Sequence, residues 1–188
     1  MIKRCKWAEN VEEIYTKYHD KEWGTPTYDD QELFEMLVLE SFQAGLAWIT
    51  ILKKRENFKE AFDNFDIEKV SKYDEDKVEE LRNNAGIIRH KGKINAAINN
   101  ANVFIEIQNE FGSFSNYIWG FTDNKILKDT EENYLTNSPL SDKIAKDLKK
   151  RGMKFVGTTI IYSYLEAIGI INNHVHECFK YEEQEWYF

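Results

Sequence analysis

The sequence contains few of the residues that mark several common classes of protein. Among its 188 residues are only two cysteines, two prolines and nine glycines. Two cysteines separated by most of the chain exclude a disulfide-dense scaffold, and so few turn residues argue against a protein of many short β-strands. The length is sufficient for a substantial core, and we expect residues 1–188 to form a single domain.

Long apolar stretches are missing as well. The opening residues Met1–Lys6 carry charge with no apolar run behind them, which is not the pattern of a signal peptide. No uncharged stretch is both long and apolar enough to span a bilayer. We therefore expect a cytoplasmic protein with no membrane or protein partner, in which thiols serve a metal or chemistry rather than cross-links.

The net charge of −8 argues against a protein that coats nucleic acid electrostatically. Its basic residues are nevertheless clustered. Six lie between Lys143 and Lys154 with only Asp147 against them, and shorter clusters occupy residues 53–55 and 89–93. Such clusters are commonly solvated helix faces. If the three meet in the fold, they present one basic face to a phosphate backbone.

Helical signals predominate along the chain. Asp29 and the acidic residues after it supply the start of a helix that runs toward Gly45. Gly86 and Gly169 are predicted to end two later helices, Gly86 as a left-handed cap. Residues 120–137 show no periodicity and are predicted to form a loop, and no strand pairs are apparent. The further predicted helices are Trp48–Phe62, Asp74–Asn84, Lys91–Phe111, Pro139–Arg151 and Thr158–Ile168.

Four potential metal ligands are divided between the two ends of the chain. Cys5 and His19 lie near the start, and His174 and Cys178 lie four residues apart near the end, where a helical turn points both the same way. Two thiolates and two imidazoles are a ligand set of structural zinc, with no position left open for substrate. The alternative is two buried free cysteines and two ordinary histidines. A zinc ion here would join the N- and C-termini of an all-α fold.

One acidic residue interrupts an otherwise uncharged segment. Glu40 is the single charge between Met36 and Leu52, and a helical period places it on one face with Leu33 and Leu37. Burying an unpaired carboxylate is costly, and positions that break a local rule in this way tend to be functional. The alternative is that Glu40 caps a neighbouring backbone or pairs with a basic side chain.

Aromatic residues are concentrated near the N-terminus and just after this carboxylate. Aromatics at helical spacing usually belong to a core. Beside a buried carboxylate they indicate a slot for a flat ring, and stacked aromatics with one acceptor suit a nucleobase pulled out of a duplex. The residues concerned are Trp7, Tyr15, Tyr18, Trp23 and Trp48.

The segment Leu148–Thr159 combines a basic helix end, a short glycine-bearing turn and the start of a new helix. Free amides and the helix dipole at such a start can hold a phosphate. The pattern resembles the helix-hairpin-helix motif of DNA-repair proteins, although its glycines are degenerate and an ordinary helical hairpin is the alternative. The candidate DNA-binding residues are Lys150, Arg151, Lys154, Gly157 and Thr158.

Four contiguous segments resemble the 3-methyladenine DNA glycosylase I family. They are residues 18–24 (YHDKEWG), 43–50 (QAGLAWIT), 85–94 (AGIIRHKGKI) and 149–159 (KKRGMKFVGTT). The resemblance covers nearly the whole chain and implies an all-α fold of the helix-hairpin-helix glycosylase superfamily. It also implies one structural zinc on the four Cys and His residues, and a base pocket formed by Glu40 and the five aromatic residues above.

The resemblance implies hydrolysis of the N-glycosidic bond of 3-methyladenine in double-stranded DNA. Methylation at N3 makes adenine cationic and weakens that bond, so recognition matters more than acid catalysis. Glu40, the candidate catalytic residue, would offset the positive charge, while Trp48 and Tyr18 would stack on the ring. No lysine lies in an apolar segment, which favours a monofunctional enzyme.

Two other functions are consistent with parts of the pattern. A zinc-stabilised, non-catalytic binder of damaged or single-stranded DNA would keep the metal ligands and the basic clusters, but it would not need Glu40 in an apolar helix. A zinc hydrolase is disfavoured, because four protein ligands leave no open coordination position.

Overall fold

The computed structural model describes residues 2–128 and 135–183, and these are mostly helical, as predicted. Single 3₁₀ turns occupy Lys6–Ala8 and Asp63–Phe65. The α-helices of the described residues are α1 (Glu13–Lys21), α2 (Asp30–Gln43), α3 (Trp48–Ala61), α4 (Ile67–Val70), α5 (Glu75–Asn83), α6 (Lys91–Phe111), α7 (Phe114–Gly120), α8 (Pro139–Lys150), α9 (Thr158–Ala167) and α10 (Lys180–Glu183).

Several helices begin where side chains satisfy their free amides. Asp29 accepts hydrogen bonds from the backbone amides of Gln31 and Glu32, each at 3.0 Å. Ser138 and Ser141 form a reciprocal capping box at the start of α8. A helix start leaves its first amides without intrahelical partners, so such short polar side chains define where the helix begins. The predicted helices α2, α3, α5, α6, α8 and α9 are confirmed to within one or two residues.

The prediction that Gly86 is a left-handed helix cap is wrong. Helix α5 ends at Asn83, and Gly86 does not have a positive φ. Its amide instead donates to Oδ1 of Asn84 at 2.8 Å. A Cβ added at Gly86 would lie 2.9 Å from that oxygen and 3.1 Å from Cβ of Asn57. Close approach rather than backbone conformation therefore requires glycine here.

The prediction of a loop without strands over residues 120–137 is also partly wrong. Residues 129–134 of that segment lie outside the described residues. Before them, strand β1 (Leu127–Lys128) pairs in parallel with β2 (Ile171–Asn172), and the amide of Leu127 donates to the carbonyl of Ile170 at 2.8 Å. A pair of two-residue strands is too short to produce an alternating pattern, so the sequence carries no sign of it.

Helix α2 is the central element of the fold. It contacts α3, α6, α7 and α9, and every residue from Leu33 to Phe42 except Glu35 is buried. Burial of each large apolar side chain contributes about 1.5–3 kcal/mol, so α2 is firmly anchored in the core. Glu40 and Ser41 lie on this helix, so both polar side chains are held on a rigid support.

The two ends of the described chain lie side by side. The amide of Phe179 donates to the carbonyl of Lys3 at 3.0 Å, and Lys3 also forms an exposed ion pair with Glu177. This contact brings the segments that carry Cys5 and Cys178 together. Within the described residues, none of the helices combines the length and the apolar character that crossing a bilayer requires.

Candidate active site

The four predicted metal ligands converge in a buried cluster. Their ligand atoms all lie within 4.8 Å of one another. Nδ1 of His174 is 3.6 Å from Sγ of Cys5 and 3.5 Å from Sγ of Cys178, and Nε2 of His19 is 3.5 Å from the same Cys178 sulfur. In a tetrahedral zinc site a sulfur and a nitrogen ligand lie about 3.5–3.6 Å apart. The cluster therefore has the dimensions of a four-coordinate zinc site.

The ring nitrogens that face away from the cluster are also bound. Nδ1 of His19 is 2.9 Å from a carboxylate oxygen of Asp20, and Nε2 of His174 is 3.1 Å from the backbone carbonyl of Trp23. Hydrogen bonds from Cys5 and from both histidines lower the pKa of the Cys178 thiol. Oriented imidazoles and thiolate character are what a metal requires of its ligands.

We call the group formed by Cys5, His19, His174 and Cys178, the candidate metal ligands, the metal cluster. Next to it is a cavity of about 780 Å³, which we call the Glu40 cavity. It is formed mainly by the N-terminal segment, α1, α2, α9 and the segment after β2. All five aromatic residues predicted for the site line it. The polar side chains beside them include Glu40, Gln43, Ser163, Glu166 and Asn173.

Glu40 is the unusual group of this cavity. Only 4% of the residue is exposed, and its Oε2 atom has no hydrogen-bond partner. Burial, and then the negative charge of Glu166, raises the pKa of Glu40 to about 8. A partner lysine or arginine would lower that pKa. The alternative raised from the sequence, in which Glu40 pairs with a basic side chain, is therefore not supported. A buried acceptor without a partner is the mark of a site that binds something else.

The five aromatic side chains form the wall of the cavity that contains the carboxylate. Tyr18 and Trp48 have ring centroids 5.5 Å apart, and the indole nitrogen of Trp48 is buried without a hydrogen-bond partner. Burial, followed by the negative charge of Glu40, raises the pKa of both Tyr15 and Tyr18, so both are neutral phenols. The wall is apolar, and the cavity holds one unsatisfied donor, on Trp48, and one unsatisfied acceptor, on Glu40.

The wall is continuous with the metal cluster. Trp7 packs edge-on against Trp23 at 4.9 Å and lies 5.1 Å from His19. Trp23 also contacts the ring of His174 at 4.6 Å. Two cavity residues are thus held by the rings of two candidate metal ligands, so an ion bound by these ligands would fix the shape of the cavity.

Four polar residues of the cavity were not predicted from the sequence. Gln43 follows Glu40 by three residues on α2, and Ser163 and Glu166 have the same spacing on α9. Asn173 follows β2 and donates to Glu166 at 2.5 Å. The spacing of three residues shows that each helical pair shares a face, but nothing in the sequence indicates that the two faces meet.

The turn between α8 and α9 is held from behind by side chains of α2 and α6. Asn100, which is buried, donates to the carbonyl of Lys154 at 2.9 Å and accepts from its amide at 2.8 Å. Asn99 donates to the carbonyl of Gly152 at 2.9 Å, and Ser41 donates to that of Phe155 at 3.2 Å. Since Ser41 follows Glu40 directly, one helix supports both the cavity and the turn.

The outer face of this turn has the composition predicted for a phosphate contact. Lys150 and Lys154 are exposed, and Gly157 begins α9 with no side-chain cap over its amides. Thr158 is half-buried and its hydroxyl bonds with that of Ser141 at 2.8 Å. The first amides of α9 are therefore not covered by a capping side chain of their own helix.

Arg151 differs from the other basic residues of the turn. Its guanidinium binds Asp147 at 2.7 Å and Glu110 at 2.6 Å, and it also packs over the rings of Phe111 and Tyr117. Each of these contacts occupies the planar group that would bind a phosphate. Arg151 consequently anchors α8 to α6 and α7.

One residue from each of the two other basic clusters, residues 53–55 and 89–93, also points into the protein. Arg55 binds the carboxylates of Glu22 and Glu35, and only 18% of its side chain is exposed. Lys93 is buried and donates to the carbonyls of Phe42 and Ala44, which end α2. These two cations therefore stabilise the fold and do not extend the exposed basic surface of the turn.

Comparisons with known proteins find similarity over nearly the whole chain. The family model described as methyladenine glycosylase matches residues 7–181. The curated DNA-3-methyladenine glycosylase 1 of Escherichia coli strain K12 is 45% identical over 183 residues, which are 96% of this chain and 97% of that protein.

Solved structures are similar to this chain as well. A crystal structure of 3-methyladenine DNA glycosylase I is similar with a TM-score of 0.90 and 46% identity, and the match covers 94% of this chain and 98% of that one. A variant of such an enzyme in complex with 3-methyladenine is similar with a TM-score of 0.89 and 35% identity, over 93% of this chain and 95% of that one. The chain belongs to the methyladenine glycosylase family.

Proposed function

We propose that this protein is a base-excision repair glycosylase that removes 3-methyladenine from alkylated double-stranded DNA. The observation that carries the proposal is the buried oxygen of Glu40 that has no partner in a cavity walled by aromatic rings. Relatives at 45% and 40% identity are DNA-3-methyladenine glycosylases. A cationic, flat base supplies a positive charge for the unpartnered carboxyl and a ring that can stack on the aromatic walls.

Glu40 is assigned to recognition of the charged base. In the empty cavity its raised pKa keeps much of the carboxyl protonated at neutral pH. An entering cation favours the ionised form, because an opposite charge at close range lowers the pKa of a carboxyl. The carboxylate then accepts hydrogen bonds from the adenine edge while its charge offsets that of the ring.

The aromatic side chains are assigned to the faces and edges of the base. Trp48 and Tyr18 are placed to stack on the cationic ring, and each such contact is worth about 0.5–2 kcal/mol. Trp7, Tyr15 and Trp23 complete the wall on the side of the metal cluster. Exclusion of water strengthens the attraction between the base and Glu40, because the effective dielectric constant is lower there.

The bond-breaking step requires little further help from the protein. When the bond between C1′ and N9 breaks, the electron pair stays on N9 and neutralises the cationic ring. Water then bonds to C1′ and loses a proton, which leaves an abasic site. The side chains of the cavity bind and orient the base, and the lesion itself supplies most of the driving force for departure.

We further propose one structural zinc ion on Cys5, His19, His174 and Cys178. The buried sulfur and nitrogen atoms have the separations of a tetrahedral site, and both histidines have outer hydrogen-bond partners. When bound, the ion would cross-link the two ends of the chain and would take no part in the reaction, since all four positions are filled by protein.

The turn between α8 and α9 is proposed to bind the DNA backbone as a helix-hairpin-helix. Lys150, Lys154 and the amides at Gly157 and Thr158 are the assigned phosphate contacts. Arg151 belongs to the same face, but its ion pairs with Asp147 and Glu110 give it a supporting role. Ser41 connects this turn to α2, so DNA held there is in a fixed position relative to Glu40.

The test is release of base from methylated duplex DNA. Wild-type protein is incubated with the duplex and the released bases are separated by chromatography, with Glu40→Gln as the comparison. We expect 3-methyladenine in the soluble fraction and abasic sites in the DNA. Tight binding of methylated DNA by folded, metal-loaded protein without any released base would instead indicate a non-catalytic binder.

A further inference from the structure

Lys93 is a buried charge that the proposed reaction does not use. Only 7% of the residue is exposed, and its ammonium group donates to the carbonyls of Phe42 at 2.8 Å and Ala44 at 2.7 Å. Both acceptors are backbone oxygens at the carboxyl end of α2, where the helix dipole is negative. Burying a charge is costly, and a residue that breaks a local rule in this way tends to be functional.

The two carbonyls lie on either side of Gln43, which is the last residue of α2 and lines the Glu40 cavity. Residues 44–47 then connect α2 to Trp48, which begins α3 and also lines the cavity. Most of this connection is exposed, and a Cβ added at Gly45 would meet nothing within 4 Å. Lys93 therefore fixes, from α6, a thinly packed connection that has a cavity residue at each end.

The helix that carries Lys93 also holds the turn between α8 and α9. Asn100 lies seven residues after Lys93 on α6, so two helical turns place both side chains on the same face. Asn100 bonds both backbone groups of Lys154, at 2.9 and 2.8 Å. One face of α6 thus sets the position of the end of α2 relative to the turn that is proposed to bind DNA.

We propose that Lys93 is a positioning residue, whose ammonium group holds the end of α2 so that Gln43 and Trp48 keep their places in the Glu40 cavity. This inference rests on the proposed function, in which Trp48 stacks on the base. A misplacement of about 1 Å can cost on the order of a hundredfold in rate, because the base and the groups that bind it have to be aligned when the bond breaks. Loss of the ammonium group should therefore lower the rate of excision more than the affinity for DNA.

The experiment compares Lys93→Met, which removes the charge and keeps the length, with Lys93→Arg, which can still donate to both carbonyls. The matched control is Lys54→Met. Nζ of Lys54 also donates to two backbone carbonyls, those of Ala85 at 3.1 Å and Gly86 at 3.3 Å, but neither of these residues lines the cavity. The single-turnover rate of excision at saturating protein and the affinity for unmethylated duplex are measured well below the melting temperature of each variant.

We expect Lys93→Met to excise 3-methyladenine about ten- to a hundredfold more slowly than wild type, while it binds unmethylated duplex equally well. Lys93→Arg should recover most of that rate, and Lys54→Met should excise at the wild-type rate even if it melts at a lower temperature. A Lys93→Met rate no lower than that of Lys54→Met would overturn the proposal, and so would equal losses in Lys93→Met and Lys93→Arg. If Lys93→Met does not fold, Lys93→Gln replaces it under the same criteria, because its amide still donates to one carbonyl.

A second measurement does not depend on the proposed function. The five tryptophans are replaced by fluorinated tryptophan, and the fluorine NMR signal of Trp48 is assigned from its loss in Trp48→Phe. We expect Lys93→Met to shift or broaden this signal in ligand-free protein, and Lys54→Met to leave it unchanged. An unchanged Trp48 signal in Lys93→Met would contradict the proposal. A changed signal, together with wild-type protein that releases no base, would contradict the proposed function and support the positioning of Trp48 by Lys93.

Discussion

The Glu40 cavity leaves buried polar atoms without partners, whereas the turn between α8 and α9 has partners for its inward polar groups. Oε2 of Glu40 and Nε1 of Trp48 are unsatisfied. In the turn, by contrast, Asn100 bonds both backbone groups of Lys154, and Arg151 is fully engaged by carboxylates. The cavity is therefore built for a ligand that enters it, and the turn is built as a rigid surface.

The two regions also differ in how the chain assembles them. The turn is continuous in sequence, so its charges and glycines can be read together. The cavity and its metal cluster combine residues from both ends of the chain with residues of α2 and α9. Loss of one contact between residues far apart in the chain should thus disturb the cavity more than the turn. The following experiments test this difference.

The largest effect is expected at the metal cluster. Cys178→Ser should remove one bound zinc per chain and lower the free energy of unfolding by several kcal/mol, since binding of a structural zinc is worth on the order of 10 kcal/mol in small domains. Metal analysis and thermal melting measure the change, with His176→Ala as the control from the same segment. Metal-free protein with unchanged melting and full activity would show that the cluster is not a structural site.

The next largest effect is expected from Glu40→Gln. The amide keeps the shape of the side chain but not its charge, and a hydrogen bond to a charged group is worth roughly 1.5–3 kcal/mol, so excision should fall about ten- to a hundredfold. Trp48→Ala should weaken binding of free 3-methyladenine while zinc stays bound. If Glu40→Gln binds the free base as tightly as wild type, the carboxylate is structural and the cavity is wrongly assigned.

Excision should rise by up to about fiftyfold between pH 6 and pH 8, because the ionised fraction of Glu40 rises from about 1% to about 50%. Because kcat/KM reports the free enzyme, it should rise as Glu40 ionises near its pKa of about 8 and level off above it. The same raised pKa predicts that stability contributed by protonated Glu40 is present below pH 4.5 and is lost as pH rises to about 8. Both trends should vanish in Glu40→Gln, and a rise that persists there would assign the pKa to another group.

The smallest effect is expected at the turn. Lys150→Glu should weaken binding to methylated and unmethylated duplex by the same factor, about three- to tenfold, and should reduce the salt dependence by about one phosphate contact. Binding of free 3-methyladenine should not change. Arg151→Gln should instead lower the melting temperature, because it leaves Asp147 and Glu110 without their partner. A loss of free-base binding in Lys150→Glu would show that the basic surface is misplaced.

Residue chemistry made much of the site predictable before the structure was known. The two cysteines, His19 and His174 could be recognised because few other residue types bind zinc, and Glu40 because it is the only charge between Met36 and Leu52. Helix starts at Asp29 and Ser138 could be recognised because capping acts over three residues. Each of these predictions depends on residue type or on short spacing.

Other features depend on distances between residues far apart in the chain. Glu166 looks like an ordinary acidic residue of α9 until the fold places it in the same cavity as Glu40. Arg151 looks like a DNA contact until Glu110, 41 residues earlier, is found beside it. The sequence by itself determined the helices, the ligand types and the isolated carboxylate. Only the tertiary structure decided which charges meet, because periodicity records which face a residue occupies but not which face lies opposite.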